Sequence, residues 1–346
     1  MPKFIQRMTA TVMRSYLAEV SLLSVIIIIS IGLSWATPQF FTLGNIFNLL
    51  NSSAVNIIFA MGLLVVLIMG GIDISFAVAA SVVQYVLVLI VQAIGGGNWI
   101  YGILLAMGIG LVLGAINAFF IERFRIVSIV VSIATFNIYF GLLMFFTKGV
   151  SIYDLPAWLR TRIVVYEHAI SNGTWAEITL PVVVMSLCVI ATYILINRSS
   201  LGRQLYALGD NPEAARRCGV PDRALHYVAF GWLGIMAGLA GLMQAHYAQE
   251  VVPNAFYGRE LDVLAAAVLG GARLGGGKGS VIGCVLGVLL VSITQNGLNL
   301  MGVSPFAFRM IVGLIILLAI SLSSLPLPKL LRLQQVITVS PKGRAA

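Results

Sequence analysis

Asn197–Arg223 reads NRSSLGRQLYALGDNPEAARRCGVPDR, five arginines within 27 residues, set between two long apolar runs. The whole chain has 346 residues, of which 60% are hydrophobic and only 10% charged, so this stretch marks a segment held in water between two that are not. Its middle, Gly209 to Gly219, carries the signals of a complete short helix. Asp210 or Asn211 serves as N-cap, and Pro212 sits in the first turn, where its missing N–H costs nothing. Glu213 places a negative charge near the positive helix end, Ala214 and Ala215 favour the helical state, and Arg216 with Arg217 suit the other end. Gly219 stops it. A helix this short is not stable alone and needs a surface to lie against. The plainer alternative is a basic turn that only enforces topology.

On either side the chain is built from apolar runs of about 18 residues or more, the hydropathy pattern of transmembrane helices. A soluble globular fold is excluded. A β-barrel is excluded as well, because these runs are continuous where a barrel strand alternates. The expected fold is an all-α polytopic membrane protein with about ten spans, one transmembrane domain over residues 1–346. The spans are placed at Val20–Ala36, Ile46–Met69, Phe76–Ile94, Trp99–Ile121, Val127–Phe146, Thr179–Ile196, Ala224–Gln244, Leu261–Gly271, Ser280–Leu298 and Phe306–Leu322, the eighth being the weakest.

Lys and Arg then give the orientation. Three lie in the amino terminus, two in the turn Glu122–Arg125, five in 197–223, two in Arg273–Lys278 and four in the carboxyl tail, so that sixteen of 21 fall on one side. By the positive-inside rule both termini and the loop 197–223 are expected in the cytoplasm, and 148–178 outside. The net charge of +9 therefore needs no nucleic acid to explain it. Ser34-Trp35-Ala36 could pass as a signal-peptide cleavage site. Reading that run as the first span is what closes the charge count. Cys188, Cys218 and Cys284 form neither a disulfide framework nor a metal spacing, and His168, His226 and His246 are scattered, so no metal site is expected.

The outer gap holds Pro156, Trp158, Trp175 and mixed charges, and is expected to form a short surface helix and turn, with an interfacial aromatic belt as the plainer reading. On either side of this gap and the span after it lie two sets of four, the second to fifth spans and the seventh to tenth. The first set begins outside and the second inside, the arrangement of an inverted-topology repeat.

Gly70-Gly71-Ile72-Asp73-Ile74-Ser75 interrupts an apolar stretch of nearly fifty residues. The glycines allow a helix break, and Asp73 and Ser75 can cap the helix that follows. A carboxylate at such depth is expensive without a role, so Gly70, Gly71, Asp73 and Ser75 are candidates for the wall of a translocation path. Asn117, Asn137, Gln295 and Asn296 join them, because uncharged amides both donate and accept hydrogen bonds, as a hydroxyl-rich solute requires. The same amides can equally bond helix to helix, as can Asn56, Gln84 and Gln244. Gly270 to Ser280 resembles a phosphate loop only superficially. Ala272 stands where the first glycine is needed and Gly279 follows Lys278, so the segment reads as a tight turn with close helix packing.

Taken together, Gly70–Ser75, Gly202–Gly209 running into Asn211–Arg216, Glu260-Leu261-Asp262 followed by Gly270-Gly271 and Gly275–Ser280, and the block Asn296–Pro305 resemble the ribose-type permease subunits of bacterial ABC sugar importers. The resemblance runs in order over nearly the whole chain. It implies a type II importer-like permease of the bacterial inner membrane, without a cofactor or an ATPase site of its own. The implied partners are a second permease copy, cytoplasmic ATP-binding subunits and a periplasmic solute-binding protein, all assembled in the lipid bilayer. It further implies that Asp210–Gly219 is the coupling helix that docks on the ATPase. Two positions depart from the family pattern: Ala77 stands where glycine is usual, and Val127-Ser128 where a proline is. Alternatives are the same machine for a nucleoside, an amino acid or a sugar-derived signal molecule, an ion-coupled secondary transporter, and, more remotely, a membrane-embedded enzyme.

Overall fold

The computed structural model describes residues 2–170, 174–304 and scattered positions from 307 to 317. Its helices are α1 (Pro2–Ala36), α2 (Leu43–Met69), α3 (Phe76–Ile94), α4 (Trp99–Phe124), α5 (Ser128–Thr147), α6 (Ala157–Arg160), α7 (Leu180–Tyr193), α8 (Ser200–Asp210), α9 (Pro212–Arg217), α10 (Asp222–Ala248), α11 (Arg259–Leu269) and α12 (Val281–Leu300). The last turn of α7 widens into a π-helix over Ile194–Arg198. Eight of these are long and apolar enough to cross a membrane: α1 from Glu19, α2, α3, α4, α5, α7 with its π-turn, α10 and α12. The expected tenth span, Phe306–Leu322, lies outside the described residues apart from isolated positions.

The eighth span is corrected. At 11 residues α11 is about 16 Å long, roughly half the hydrocarbon thickness, and cannot cross it. The outer gap also differs from expectation. It holds the short helix α6, but the turn is a β-hairpin of β1 (Val164–Ile170) and antiparallel β2 (Thr174–Thr179), so the chain is not wholly helical. Val164, Val165, Tyr166 and Trp175 are the β-favouring residues that a hydropathy count overlooks.

The core runs along α2 and α10. Nearly every residue of α2 from Ser53 to Met69 is buried, as expected of a helix apolar on all sides and packed all round. α2 starts beside the hairpin, where Asn51 Nδ2 donates to Glu177 O (2.7 Å) and Asn51 Oδ1 accepts from Thr179 N (3.1 Å) and Thr179 Oγ1 (2.6 Å). Its last turn lies at the opposite, basic end, where Ile68 O accepts from Gly277 N (2.8 Å). α10 runs the other way. It begins in the basic segment and ends at the hairpin, where His246 Nε2 accepts from Ile163 N (3.3 Å) and Nδ1 lies 3.1 Å from Leu159 O. α10 and α4 cross at backbone contact, because Gly110 faces Gly234 and a Cβ on either would lie 2.1 Å from the other's carbonyl oxygen. Small residues of this kind let membrane helices approach closely.

The packing is reciprocal. α3 and α4 both lie against α10, while α11 and α12 both lie against α2, and α2 and α10 are antiparallel helices of 27 residues each. After α2 the chain reverses at Gly70 (φ 97°) and climbs back as irregular backbone until Phe76 meets Phe59 at 5.2 Å, about 15 Å from the end of α2. After α10 it descends from the other side. Val251 pairs with Ile152, Val252 O accepts from Gln84 Nε2 (2.9 Å), and Phe256 meets the same Phe59 at 5.2 Å. The two broken segments thus arrive from opposite ends at one ring.

Candidate coupling segment and polar helix break

The basic segment folds as two helices. Ser199 Oγ caps α8 by accepting from Gly202 N (3.1 Å), and α8 buries Gly202, Leu205, Leu208 and Gly209. Asn211, the second of the two expected caps, is the N-cap of α9, with Oδ1 accepting from Ala214 N (3.0 Å), whereas Asp210 closes α8. Pro212 occupies the first turn and Gly219 takes the left-handed conformation (φ 80°) that ends the helix. Ala215 is the buried residue of α9, while Glu213, Ala214, Arg216 and Arg217 are exposed, with Glu213 and Arg217 paired. The surface α9 leans on is α8; its outer face is open.

α8 is locked to both halves of the molecule. A Cβ at Gly209 would lie 1.9 Å from Ile68 O and 2.5 Å from Gly277 N, so only glycine allows three backbone segments to meet there. Tyr206 Oη donates to Gly279 O (2.7 Å), and burial pushes its phenol up, which keeps the donor proton in place. The expectation of a tight, closely packed turn at Gly270–Ser280 is met, and this turn is what α8 grips.

A charged network that sequence reasoning missed fastens α9 to the spans. Arg216 reaches Asp222 Oδ2 through Nε (2.7 Å) and Nη2 (2.6 Å). His226 Nδ1 stands 2.9 Å from Glu122 Oε1 and 3.2 Å from Asp222 Oδ1, and Arg125 lies 3.9 Å from Glu122 and 3.8 Å from Asp222. The ends of α4, α9 and α10 are therefore joined at one point. His226 is not an isolated histidine, as its position in the sequence implied: Glu122, Asp222 and His226 place one ligand atom each within 4.8 Å, close enough to hold a metal ion. Arg125 and Arg216 already balance the two carboxylates, so an added divalent charge would meet two neighbouring guanidiniums, and the arrangement works as an ion-pair network. The i, i+4 spacing of Asp222 and His226 was the available signal; Glu122, a hundred residues earlier, had none.

The break before α3 gathers three of the expected path residues. Asp73 Oδ1 accepts from Ser75 N (2.6 Å) and Ser75 Oγ (2.7 Å), and Asn117 Nδ2 donates to Asp73 Oδ2 (2.9 Å) and Ser75 Oγ (2.8 Å). Asp73 caps the turn, while Ser75, the N-cap by position, makes no side-chain capping bond. Asp73, Ser75 and Asn117 are each at most 2% exposed and line a small cavity of about 10 Å³, room for about one water. Gly70 and Gly71 form the reversal below them. The other candidates are elsewhere. Asn137 is exposed on α5 and donates to Ile133 O of its own helix (2.8 Å). Asn296 exchanges two 3.0 Å hydrogen bonds with Asn45, joining α12 to α2, and Gln295 is half-buried beside it.

A family profile described as "Branched-chain amino acid transport system / permease component" matches residues 45–320. Among curated proteins the chain is 30% identical over 315 residues to the ribose import permease protein RbsC of Escherichia coli (strain K12), covering 87% of this chain and 91% of the relative. It is 26% identical over 321 residues to the galactose/methyl galactoside import permease protein MglC of the same strain, covering 90% and 95%. It is 30% identical over 285 residues to the autoinducer 2 import system permease protein LsrC of Photorhabdus luminescens, covering 82% and 83%. No solved structure matches.

Proposed function

The chain belongs to the branched-chain amino acid transport system / permease component family, and on that premise we propose that it is the membrane-spanning subunit of an ABC importer for a monosaccharide. The observation that carries the solute class is the 30% identity to a ribose import permease over 87% of the chain. The subunit lies in the bacterial inner membrane with both termini and 197–223 in the cytoplasm, and 148–178 on the periplasmic side. It hydrolyses no ATP. One ATP-binding subunit docks on α9, a second permease copy pairs with this one and holds a second ATP-binding subunit in the same way, and a solute-binding protein delivers cargo to the face that carries α6 and the hairpin.

The mechanism follows from the contacts. ATP-driven closure of the docked subunits pulls on the exposed face of α9. Arg216 passes that displacement to Asp222 at the start of α10, and through His226 to Glu122 at the end of α4. α8 moves with α9 and carries the glycine contact at Ile68 and Gly277. Force on one short helix therefore reaches both halves of the bundle, and the halves exchange inward- and outward-facing arrangements because the docked subunits bind the two differently.

Uptake of radiolabelled ribose and galactose, measured in cells that express the chain together with a partner ATPase and a solute-binding protein, tests the reading. Uptake should require ATP and persist when the proton and sodium gradients are collapsed. Arg216→Ala should lower it by at least about fivefold, the effect of roughly 1 kcal/mol on a two-state element, with insertion unchanged. Accumulation by the purified chain alone, driven by an ion gradient, would refute the proposal. The likeness to an autoinducer 2 permease makes a sugar-derived signal the second cargo to assay.

A further inference from the structure

The break between α10 and α11 has no place in the mechanism so far, and its position is unusual. α11 reaches only from the basic end to about the level of Phe59, so residues 249–258 cover the remaining depth as irregular backbone. Within a bilayer such backbone is tolerated where it is buried in protein or lines a water-filled cavity. Part of this segment is buried, with Val251 and Phe256 at 0% exposure. Asn254 and Tyr257 are exposed, Tyr257 at 55%, and the Tyr257 hydroxyl has no hydrogen bond among the described residues. A phenol and an amide facing hydrocarbon at that depth would each lose their solvation with nothing in return. The mirror-image break before α3 stands at the corresponding place in the other half, and paired interruptions of this kind mark the solute site in transporters built from inverted repeats.

We infer that Asn254, Tyr257 and Arg259, with Phe136 and Phe140 of α5, form the wall along which the solute crosses the middle of the membrane, and that the solute is a neutral, ring-shaped polyhydroxy compound. This rests on the permease reading above and specifies its contact surface. Tyr257 packs against Phe140 at 5.1 Å and Phe136 at 5.8 Å between ring centroids, and the two phenylalanines are stacked. Together they offer aromatic faces to the apolar C–H face of a sugar ring, while the phenol, the Asn254 amide and the guanidinium meet its hydroxyls. Arg259 is held in place, stacked over Phe256 at 5.3 Å and 3.5 Å from Gln244 Oε1. A helix amino terminus at this depth would attract a carboxylate, but Glu260 and Asp262 already occupy the first turn of α11. With Arg259 offset by these two carboxylates, the wall carries no excess positive charge and does not select an anionic solute.

Two measurements decide it. In a Cys218→Ser background, where the remaining cysteines are buried, Tyr257→Cys and the mid-helix control Val112→Cys are each treated in proteoliposomes with an anionic, water-soluble methanethiosulfonate. Tyr257→Cys should react at least about tenfold faster, since only a hydrated thiol ionises and reacts. Equal rates would overturn the inference. In the cellular assay with labelled ribose, Tyr257→Ala should lower uptake about tenfold, whereas Tyr257→Trp, which keeps the ring face, should retain most of it. Unchanged uptake in Tyr257→Ala likewise overturns the inference. Absence of ATP-dependent uptake in the unaltered protein would count against the proposed function, and the thiol rates would still decide whether this wall faces water.

Discussion

At the scale of single residues, Asp73 is the most demanding feature of the chain. A carboxyl group 2% exposed is tolerable because three donors converge on it: the Ser75 N–H, the Ser75 hydroxyl and the Asn117 amide. Asp73→Ala should leave those donors buried without an acceptor, at about 1–3 kcal/mol each. Thermal melting in detergent should register this as a clear fall in the midpoint, while Asp73→Asn, which keeps an acceptor facing Ser75, should fall less. A wild-type midpoint for Asp73→Ala would show that the cluster does not hold the break together. The residues themselves were readable: Asp73, Ser75 and Asn117 stood out as polar groups inside apolar runs. That Asn117 belongs with Asp73, whereas Asn137 turns back on its own helix and Asn296 pairs with Asn45, was not, because hydropathy is blind to which faces of two helices meet.

At the scale of elements, the meeting of α8 with the end of α2 and the turn after α11 is the stiffest joint. Gly209→Ala would place a Cβ 1.9 Å from Ile68 O, and relief requires α8 to move away from α2. If ATP-binding subunits dock on α9 as proposed, their hydrolysis of ATP should then continue with little uptake. Gly219→Ala is the contrasting change. It has open space around it and a strained φ of 80°, so the expected cost is about 1 kcal/mol, with most of the uptake retained. Equal loss in the two variants would mean that the short helix α9 matters only by being folded. The caps and stops of α9 were legible, because Asn211, Pro212 and Gly219 act within one turn of themselves. The hairpin was missed because its strands are short and its apolar residues read as interfacial, and α11 was counted as a span although its apolar run, Leu261–Gly271, is as short as the helix itself.

At the scale of the molecule, the two ends of the bundle are tied by two antiparallel helices. Asn51 fixes the hairpin to the start of α2, and His246 fixes the segment after α6 to the end of α10. A partner pressing on the hairpin therefore pushes directly on helices whose far ends meet α8 and α9. Asn51→Ala should remove three hydrogen bonds at that junction and uncouple binding-protein-stimulated ATP hydrolysis from the basal rate, with the basal rate preserved. Stimulation at the wild-type level would place the docking elsewhere. The sequence alone determined the apolar or polar character of each segment, the class of fold, eight of the nine expected spans that fall among the described residues and the short capped helix, since all of these follow from local composition and from groups a few residues apart. The tertiary structure decided the reciprocal packing of the halves, the charged joint of Glu122, Asp222 and His226, and the meeting of two broken segments at Phe59. Those depend on contacts between residues far apart in the chain, where the energy lies in close approach and desolvation, and neither quantity is written in the order of the residues.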